Sequence, residues 1–381
     1  MQALFIIFTS LVTLLWLSVY GYFLILWVIV RRRRQPDREI SQYPDIAVIV
    51  PTLNEEEFIL PKLEDIKLSD YPSERMTILV VDGGSTDQTT EIVAQEIERD
   101  QSLRLLHLEI PRGKPDQVRS ALASVNQDIV VVTDADSTLE TSCIRELVSH
   151  LIRNPELAIA GASIKPDSPL LEEQIHWNLV NSIWWLEGKA LSAASISGVC
   201  YACRRKMVFP VEQKVRAEDI HLALTASCYG HPVHLSRTAW AVEHRVPQTT
   251  AEFIQFRRRR GGGYVSELWQ VKPTRSTPSG YRIARLMRLW HFLITPKIVI
   301  GLALLSLALL FSPFMIWLIP AFIALAAPIL IYLLASPMAS GEKNRPLKLS
   351  WAAVRFFVFN SYAMLVLYFH PQKQGAIGGR L

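Results

Sequence analysis

The chain has 381 residues, half of them hydrophobic, with a mean hydropathy of +0.20. That length exceeds one small domain, and the apolar excess excludes a uniformly water-soluble protein. The net charge is +5 and the pI about 9.0. No helix-turn-helix, zinc-finger or RNA-binding signature accompanies it, so nucleic acid is excluded as the partner.

Residues 4–30 are almost unbroken apolar sequence, long enough to cross a bilayer with some tilt. The run is too long for a signal-peptide core, and the basic cluster Arg31, Arg32, Arg33 and Arg34 follows it rather than preceding it. A retained anchor is expected, with these arginines on the cytosolic side.

Residues 46–50 form a short apolar run that Pro51 is expected to break, and they read as a buried strand. Residues 56–68 have helical spacing. A second strand, 77–81, ends at Asp82-Gly83-Gly84-Ser85, and Thr86 is a fair N-cap for a helix through Glu98. Residues 103–108 read as a third strand. Residues 128–133 read as a fourth, ending at Asp134-Ala135-Asp136. Strands alternating with helices predict a mostly parallel sheet covered on both faces. Ligands of such sheets bind beyond the carboxyl ends of the strands.

The candidate chemistry lies at those ends. Asp134 and Asp136 can project from one loop toward a hard divalent cation, Mg²⁺ or Mn²⁺, and a diphosphate. A solvated pair of turn acids is the plain alternative. Pro51, Thr52, Asn54 and Glu55, and the segment from Asp82 to Asp87, end the first two strands, where turn residues let backbone N–H groups face a ligand. Ordinary loops explain each one separately, but three in register less well.

Farther along, residues 178–191 carry Trp184, Trp185 and Leu186 among polar residues. They read as an amphipathic interface helix or as core. Cys143, Cys200, Cys203 and Cys228 lack a second ligand pair for zinc and read as reduced, buried thiols. Glu218-Asp219 precedes a helical stretch, 220–227, which orients a carboxylate at a helix start. The block from Arg257 to Arg260 suits a phosphate clamp, a membrane surface, or both.

Two apolar runs, 298–314 and 316–335, meet at a tight Ser312-Pro313 turn and predict a helical hairpin. A basic loop, 340–348, carries Lys343, Arg345 and Lys348. Residues 351–369 form a weaker span, in which Arg355 and Asn360 also suit an interfacial helix. Three parts are expected: an anchor with its basic flank (1–34), a cytosolic domain (35–270), and a linker with about three transmembrane helices (271–381).

In order, the chain presents Pro51-Thr52-Leu53-Asn54-Glu55, Asp82-Gly83-Gly84-Ser85-Thr86-Asp87, Gly113-Lys114, Asp134-Ala135-Asp136 and Gly198-Val199-Cys200 with Arg204-Arg205. Glu218-Asp219-Ile220-His221-Leu222, Val246-Pro247-Gln248-Thr249 and Gln255-Phe256-Arg257-Arg258 follow. This set resembles the family 2 glycosyltransferases, the inverting GT-A class. The later motifs are most similar to the chitin, hyaluronan and cellulose synthase branch. The resemblance covers roughly 46–263 and the flanking apolar segments.

It implies an α/β, GT-A-like, Rossmann-type, mostly parallel sheet with transmembrane helices at both ends. The protein would be multi-pass in the cell membrane, with its catalytic domain in the cytosol. Thr52, Asn54, Glu55, Asp82 and Lys114 would surround a UDP-sugar donor, with Asp82 at the uracil. Asp134 would lie near ribose and metal, and Asp136 on the metal. Gln255 would lie on the donor side, with Arg258 or Arg259 holding the diphosphate, and Asp219 would be the general base.

The chemistry is self-consistent: an acceptor hydroxyl attacks C1, one carboxylate takes its proton, and cations hold the leaving diphosphate. The expected function is inverting transfer from a UDP-hexose to a hydroxyl of a membrane lipid or other membrane-associated acceptor. The alternatives are a processive polysaccharide synthase, transfer to polyprenyl phosphate, and a non-catalytic membrane scaffold.

Two departures stand out. The tryptophan of the family's Gln-x-x-Arg-Trp is replaced by Arg259, or by Arg260 in the register from Val246-Pro247. In polymerising members that ring lies against the acceptor sugar, so its loss weighs against chain elongation. Gly83 stands where a second Asp is often found.

Overall fold

The structure, a computed structural model, describes residues 1–32, 42–108, 113–208, 215–335 and 345–369. Arg33, Arg34 and Lys343 of the expected basic flanks lie outside these residues. Helix α1 (Gln2–Trp16) passes through a π-helical turn into α2 (Tyr22–Arg32). Together they make a 31-residue, strongly apolar helical segment. Three of its hydroxyls bond back to their own helix, Thr9 to the Phe5 carbonyl, Thr13 to that of Thr9 and Ser18 to that of Leu15, which satisfies them without a partner from water.

The central domain alternates β1 (Ile46–Thr52), α3 (Ile59–Lys67), β2 (Met76–Asp82), α4 (Thr89–Arg99), β3 (Leu103–His107), α5 (Lys114–Ser124) and β4 (Ile129–Thr133). There follow β5 (Ser137–Leu139), α6 (Cys143–Arg153), β6 (Ile159–Pro166), α7 (Leu171–Leu191), β7 (Cys200–Arg204) and the short α8 (Arg205–Val208). Then come α9 (Glu218–Cys228), β8 (Val233–Glu243) and α10 (Thr250–Gln270). The last helices are α11 (Ser279–Leu293), α12 (Thr295–Leu309), α13 (Leu318–Ala335) and α14 (Arg345–Phe369).

One eight-stranded sheet has the order β3-β2-β1-β4-β7-β6-β8-β5. The first four strands are parallel, as the alternation predicts. β7 then runs antiparallel to both β4 and β6. The pleat sends Ile46, Val48 and Val50 into a core with α3 and α6, and Ala47 and Ile49 into a second core with α5 and α9. Burial on both faces is why β1 reads as a continuous apolar run.

Pro51 does not end β1, contrary to the expectation. β4 pairs with β1 only as far as Ile49. Beyond it one edge is free, and a residue without N–H is accommodated there. Thr86 does not start α4 either, which begins at Thr89. The Thr86 N–H is bonded to Asn54 Oδ1 instead.

Among the described residues three helices are long and apolar enough to cross a membrane: Gln2–Arg32, Ser279–Leu309 and Lys348–Val366. The helix that carries the second runs back to Ser279, beyond the apolar run expected from 298, and brings arginines of α11 with it. Arg288 is buried and donates from Nε and Nη2 to Glu187 Oε2 of α7, at 3.1 and 2.6 Å. Tyr22 Oη donates to the other oxygen of Glu187 at 2.9 Å, so one carboxylate ties α2, α7 and α11 together. After α12, a 3₁₀ segment (Pro313–Trp317) opens α13 at the expected Ser312-Pro313 turn.

Helix α7 resolves the ambiguity of its tryptophans. Trp177 and Leu186 are buried, Trp185 lies beneath the Arg237 guanidinium at 3.6 Å, and Leu186 and Ala190 pack on Tyr22 and Leu26 of the first span. The helix is core and platform for the apolar segments at once.

Candidate active site

At the carboxyl end of the parallel strands the first two loops are sewn together. Asn54, at φ 55, takes the left-handed conformation that asparagine tolerates. Its N–H donates to Ser85 Oγ at 2.8 Å, and its Oδ1 accepts the Thr86 N–H at 2.6 Å. The Glu55 N–H donates to Thr89 Oγ1 at 2.8 Å. Thr52 is buried, with its hydroxyl on the Val81 carbonyl. Gln117 of α5 reaches back and donates to the Thr52 and Val81 carbonyls at 2.6 and 3.2 Å. A Cβ at Gly83 would lie 2.4 Å from Gln117 Nε2. Gly83 is therefore matched to Gln117, which accounts for the missing second Asp.

Asp82 is enclosed by its own turn. It is 0% exposed, and its carboxylate accepts the N–H groups of Gly84 (3.0 Å) and Ser85 (3.1 Å) and the Ser85 hydroxyl (2.5 Å). His107 Nδ1 lies 2.8 Å from its Oδ2. This carboxylate holds the β2–α4 turn in shape.

The next loops form an acidic cleft around one cation. Lys114 Nζ lies 2.5 Å from Asp134 Oδ1 and 3.1 Å from Glu218 Oε1, and donates to the Gly198 carbonyl at 3.1 Å. Burial works to lower the Lys114 pKa, but Asp134, Glu218 and Asp219 outweigh it, so the ammonium is held charged. Gly198 makes the convergence possible: a Cβ there would stand 2.6 Å from Lys114 Nζ and 3.2 Å from Asp219 Oδ2 and Glu218 Oε1.

Asp219 opens α9. Its Oδ2 accepts the Gly198 N–H at 2.6 Å and its Oδ1 the Ile220 N–H at 2.8 Å. Burial raises its pKa against the opposing pull of Lys114 and these two N–H groups. Burial also pushes Glu218 up to about 7, with Lys114 opposing and Asp219 and Asp134 adding to the rise. The approach to the pair is held by Glu267, which accepts the Arg216 N–H at 2.9 Å and lies 2.9 Å from His221 Nδ1.

The two neighbours titrate as a pair. If Asp219 is the base of a transfer reaction, rate is expected to fall about tenfold per pH unit on the acid side, with that limb displaced upward from the usual carboxylate range because burial raises the Asp219 pKa; a pH–rate profile checks it. Stability has the opposite slope. From about 4.5 to about 7 the folded chain keeps a proton on Glu218 that the unfolded chain has lost, so stability falls as pH rises across that window.

Asp134 and Asp136 are partly open, their side chains 27% and 20% exposed. Asp136 lies 3.4 Å from Arg245, which also grips Glu55 bidentately at 2.7 and 2.5 Å. Burial, then Asp134, raise the Asp136 pKa, and Arg245 opposes them. The described residues contain no cluster of three His, Cys, Asp or Glu side chains able to hold a metal. Two hard carboxylates in a partly open loop suit a Mg²⁺- or Mn²⁺-type ion that takes its remaining ligands from water and a diphosphate.

Lys62 props this loop from behind. It is 1% exposed and donates to the Ser137 carbonyl (3.0 Å) and hydroxyl (3.2 Å), and Ser137 Oγ donates to the Asp134 carbonyl at 2.9 Å. Lys62→Met is expected to weaken Mn²⁺-dependent donor binding by about 10–100-fold. Titration calorimetry with and without Mn²⁺ measures this; an unchanged affinity contradicts the propping role.

The arginine block on α10 divides by helical face. Arg257 is buried and donates to both oxygens of Glu173 at 2.6 and 2.8 Å. Arg260 is paired with Glu243 at the end of β8 and lies within electrostatic reach of Asp219. Arg258 is half-buried, with its Nε unpartnered. Arg259 is exposed over the Phe256 ring at 5.2 Å, and Gln255 is exposed on the same helix. The structure thus brings Lys114, Asp134, Asp136, Glu218 and Asp219 together with Arg245, Arg260 and Glu243. It leaves Gln255 and Arg258 outside those contacts. Arg245, Lys62, Gln117 and Glu243 were missed by sequence reasoning. Only the order Glu243-His244-Arg245 just before Val246-Pro247 hinted at two of them.

A family model described as Glycosyl transferase family 2 matches residues 47–208, and one described as Glycosyl transferase family group 2 matches 129–335. The chain is 28% identical over 240 residues to a probable glycosyltransferase, YdaM, of Bacillus subtilis, covering 59% of this chain and 57% of that protein. It therefore spans little more than half of that relative's length. It is 29% identical over 116 residues to a beta-monoglucosyldiacylglycerol synthase of Synechocystis, 30% of this chain and 24% of that one. Among solved structures it is similar to the mannosyltransferase PcManGT of Pyrobaculum calidifontis in complex with GDP-Man and Mn²⁺. The TM-score is 0.69, with 21% identity and coverage of 94% and 99% of the two chains. That likeness is one of fold and spans sheet and apolar helices alike.

Proposed function

Because this chain belongs to family 2 of the glycosyltransferases, we propose that it moves a hexose from a UDP-sugar, with inversion, to a hydroxyl of a membrane lipid or other membrane-associated acceptor. The enzyme class and the GT-A-like fold follow from the family and from the sheet; donor, acceptor, metal and residue roles are the proposal.

The observation that carries it is the Lys114 junction. One ammonium touches Asp134, of the loop suited to a metal diphosphate, and Glu218, the neighbour of Asp219. Donor and acceptor chemistry therefore meet within the reach of one side chain. Asp219 takes the proton of the attacking hydroxyl. Thr52, Asn54 and Glu55 shape the nucleotide end, and Lys114 and Arg260 supply positive charge near the breaking bond.

A divalent cation, Mg²⁺ or Mn²⁺, on Asp134 and Asp136 would supply Lewis-acid charge to the leaving diphosphate. Arg245 now balances Asp136 and Glu55, and it is available to turn toward the same diphosphate. Lipid acceptors are favoured by the missing tryptophan at 259 or 260 and by the name of the Synechocystis relative. The apolar helices before and after the sheet domain in the chain favour a multi-pass membrane protein. Arg31 and Arg32 at the end of the first span favour a cytosolic catalytic domain.

The test is nucleotide release by purified, detergent-solubilised protein with Mn²⁺ or Mg²⁺, offered UDP-sugars and GDP-mannose beside a membrane lipid extract, products resolved by mass. A lipid gaining one sugar supports the reading, and a long carbohydrate ladder replaces it with a processive synthase. No turnover with any donor sinks it. Asp136→Asn is expected to weaken donor binding by about 10–100-fold with Mn²⁺ and to leave the residual binding in EDTA unchanged.

A further inference from the structure

The strip of backbone 192–199, between α7 and β7, underlies the acidic cleft. Gly198 accepts from Lys114 and donates to Asp219 Oδ2. The Val199 carbonyl accepts the Asp134 N–H at 3.1 Å and the Thr133 hydroxyl at 3.0 Å. The cation, the carboxylate at the start of α9 and the loop suited to a metal all lean on this one strip. It leaves α7 through Ser192, a non-glycine residue at φ 58, a conformation that persists only where its surroundings hold it.

Those surroundings include α11. Arg288 Nη2 donates to the Ala193 carbonyl as well as to Glu187. At the start of the same helix, a Cβ at Gly280 would lie 2.2 Å from the Leu191 carbonyl oxygen. Farther along the strip, the Ser195 hydroxyl is hydrogen-bonded to that of Tyr264 on α10. Behind Arg288, Glu187 is held by Tyr22. Tyr22 follows the π-helical turn Leu17–Gly21, and His291 of α11 donates to the Ser18 carbonyl inside that turn at 3.1 Å. Such turns are rare and recur at functional sites. Leu26, Leu186 and Ala190 already pack α2 on α7. An apolar trio in place of Tyr22, Glu187 and Arg288 would join the helices at least as well, because a buried ion pair adds little net stability. An apolar trio could not hold the Ala193 carbonyl.

Given Asp219 as the base, on which this rests, we propose that Arg288, oriented by Glu187 and Tyr22, is a positioning residue for glycosyl transfer. From helices long and apolar enough to cross a membrane, it fixes the 193–199 strip and with it the Gly198 N–H on Asp219.

The test uses the detergent-solubilised full chain. Arg288→Lys keeps a cation beside Glu187 but lacks the fork that also reaches Ala193, and Tyr22→Phe removes one hydroxyl and keeps the ring. Rates are taken per site that binds UDP or GDP, whichever wild type releases, so that unfolded protein is not counted. The kcat is expected to fall about tenfold in Arg288→Lys and about threefold in Tyr22→Phe, with donor KM within about twofold of wild type. Burial raises the Asp219 pKa and the Gly198 N–H is among the groups that oppose it, so the acid limb of the pH–rate profile is expected to move up by about half a pH unit. Lys114, Glu218 and Arg260, the other charged groups facing Asp219, are the same in both variants. Loss of stability alone would move neither kcat per site nor that limb. Unchanged kcat per site overturns the proposal, as does a fall in kcat with the limb unmoved; if Arg288→Lys does not fold, Tyr22→Phe decides. Asp219→Asn is run alongside. A rate near wild type there removes the base assignment and this inference with it, whereas loss there with Arg288→Lys and Tyr22→Phe unaffected overturns this inference alone.

Discussion

Asp219→Asn is expected to lower transfer by about 10²–10⁴-fold, the usual contribution of a general base, with donor affinity nearly unchanged. The asparagine fills the same space and keeps one acceptor oxygen, but it cannot take up a proton. It also offers only one acceptor to the two N–H groups, of Gly198 and Ile220, that Asp219 now satisfies, so a small loss of stability accompanies the loss of rate. The competing base is Glu218, next in sequence. Glu218 is 4% exposed and lies against Lys114, which leaves it little access to an acceptor. Steady-state kinetics on Asp219→Asn and Glu218→Gln, with donor binding measured separately, tell them apart. Transfer within tenfold of wild type in Asp219→Asn, with loss in Glu218→Gln, assigns the base to Glu218.

Arg257→Met is expected to cost about 3–5 kcal/mol of stability, because it leaves Glu173 buried without its cation. Glu173 is 0% exposed and Arg257 4%. The pair joins α7 to α10, the helix that also carries Arg260 toward the acidic cleft. The double variant Arg257→Met with Glu173→Met is expected to regain most of the loss, since two apolar side chains of similar volume replace an ion pair without stranding a charge. Unfolding of the solubilised variants measures both. If Arg257 instead gripped a diphosphate, the single variant would lose donor affinity and keep its stability, and Glu173→Met would not rescue it.

The arginine block illustrates what the sequence made legible and what it did not. Four identical residues in a row carry no local label of role. The buried positions of α10 are Phe253, Phe256, Arg257, Gly261, Tyr264, Glu267 and Leu268, the three- and four-residue spacing of a helix face turned to a core. Read from that periodicity, Arg257 falls inside and Gln255 outside. Motif matching weighed the letters and passed over the face. The parallel half of the sheet was legible because continuous apolar runs ending in turn residues are characteristic of strands buried on both faces. The reversal at β7 was not, because an apolar run has no direction until its partner is known. The acidic residues Asp134, Asp136, Glu218 and Asp219 were found as two separate pairs. What joins them is Lys114 passing over Gly198, a contact between loops 84 residues apart. The turn-holding contacts of Asp82 were not legible either, because nothing in its own motif tells that Ser85, Gly84 and the distant His107 surround its carboxylate.

The position of β7 has a consequence during synthesis. By the time β4 has been made, β3, β2, β1 and β4 can form a parallel block, yet the far edge of β4 faces nothing until residues 200–204 arrive to pair with it. At ribosomal rates of about 5–20 residues per second, the roughly 70 intervening residues keep that edge open for about 4–14 s. The exposed row is Ile129-Val130-Val131-Val132, uncharged and β-branched, the composition that recruits strands from other chains. A nascent chain stalled between α6 and β7 is thus the species most prone to aggregate, and the one on which a chaperone would matter most.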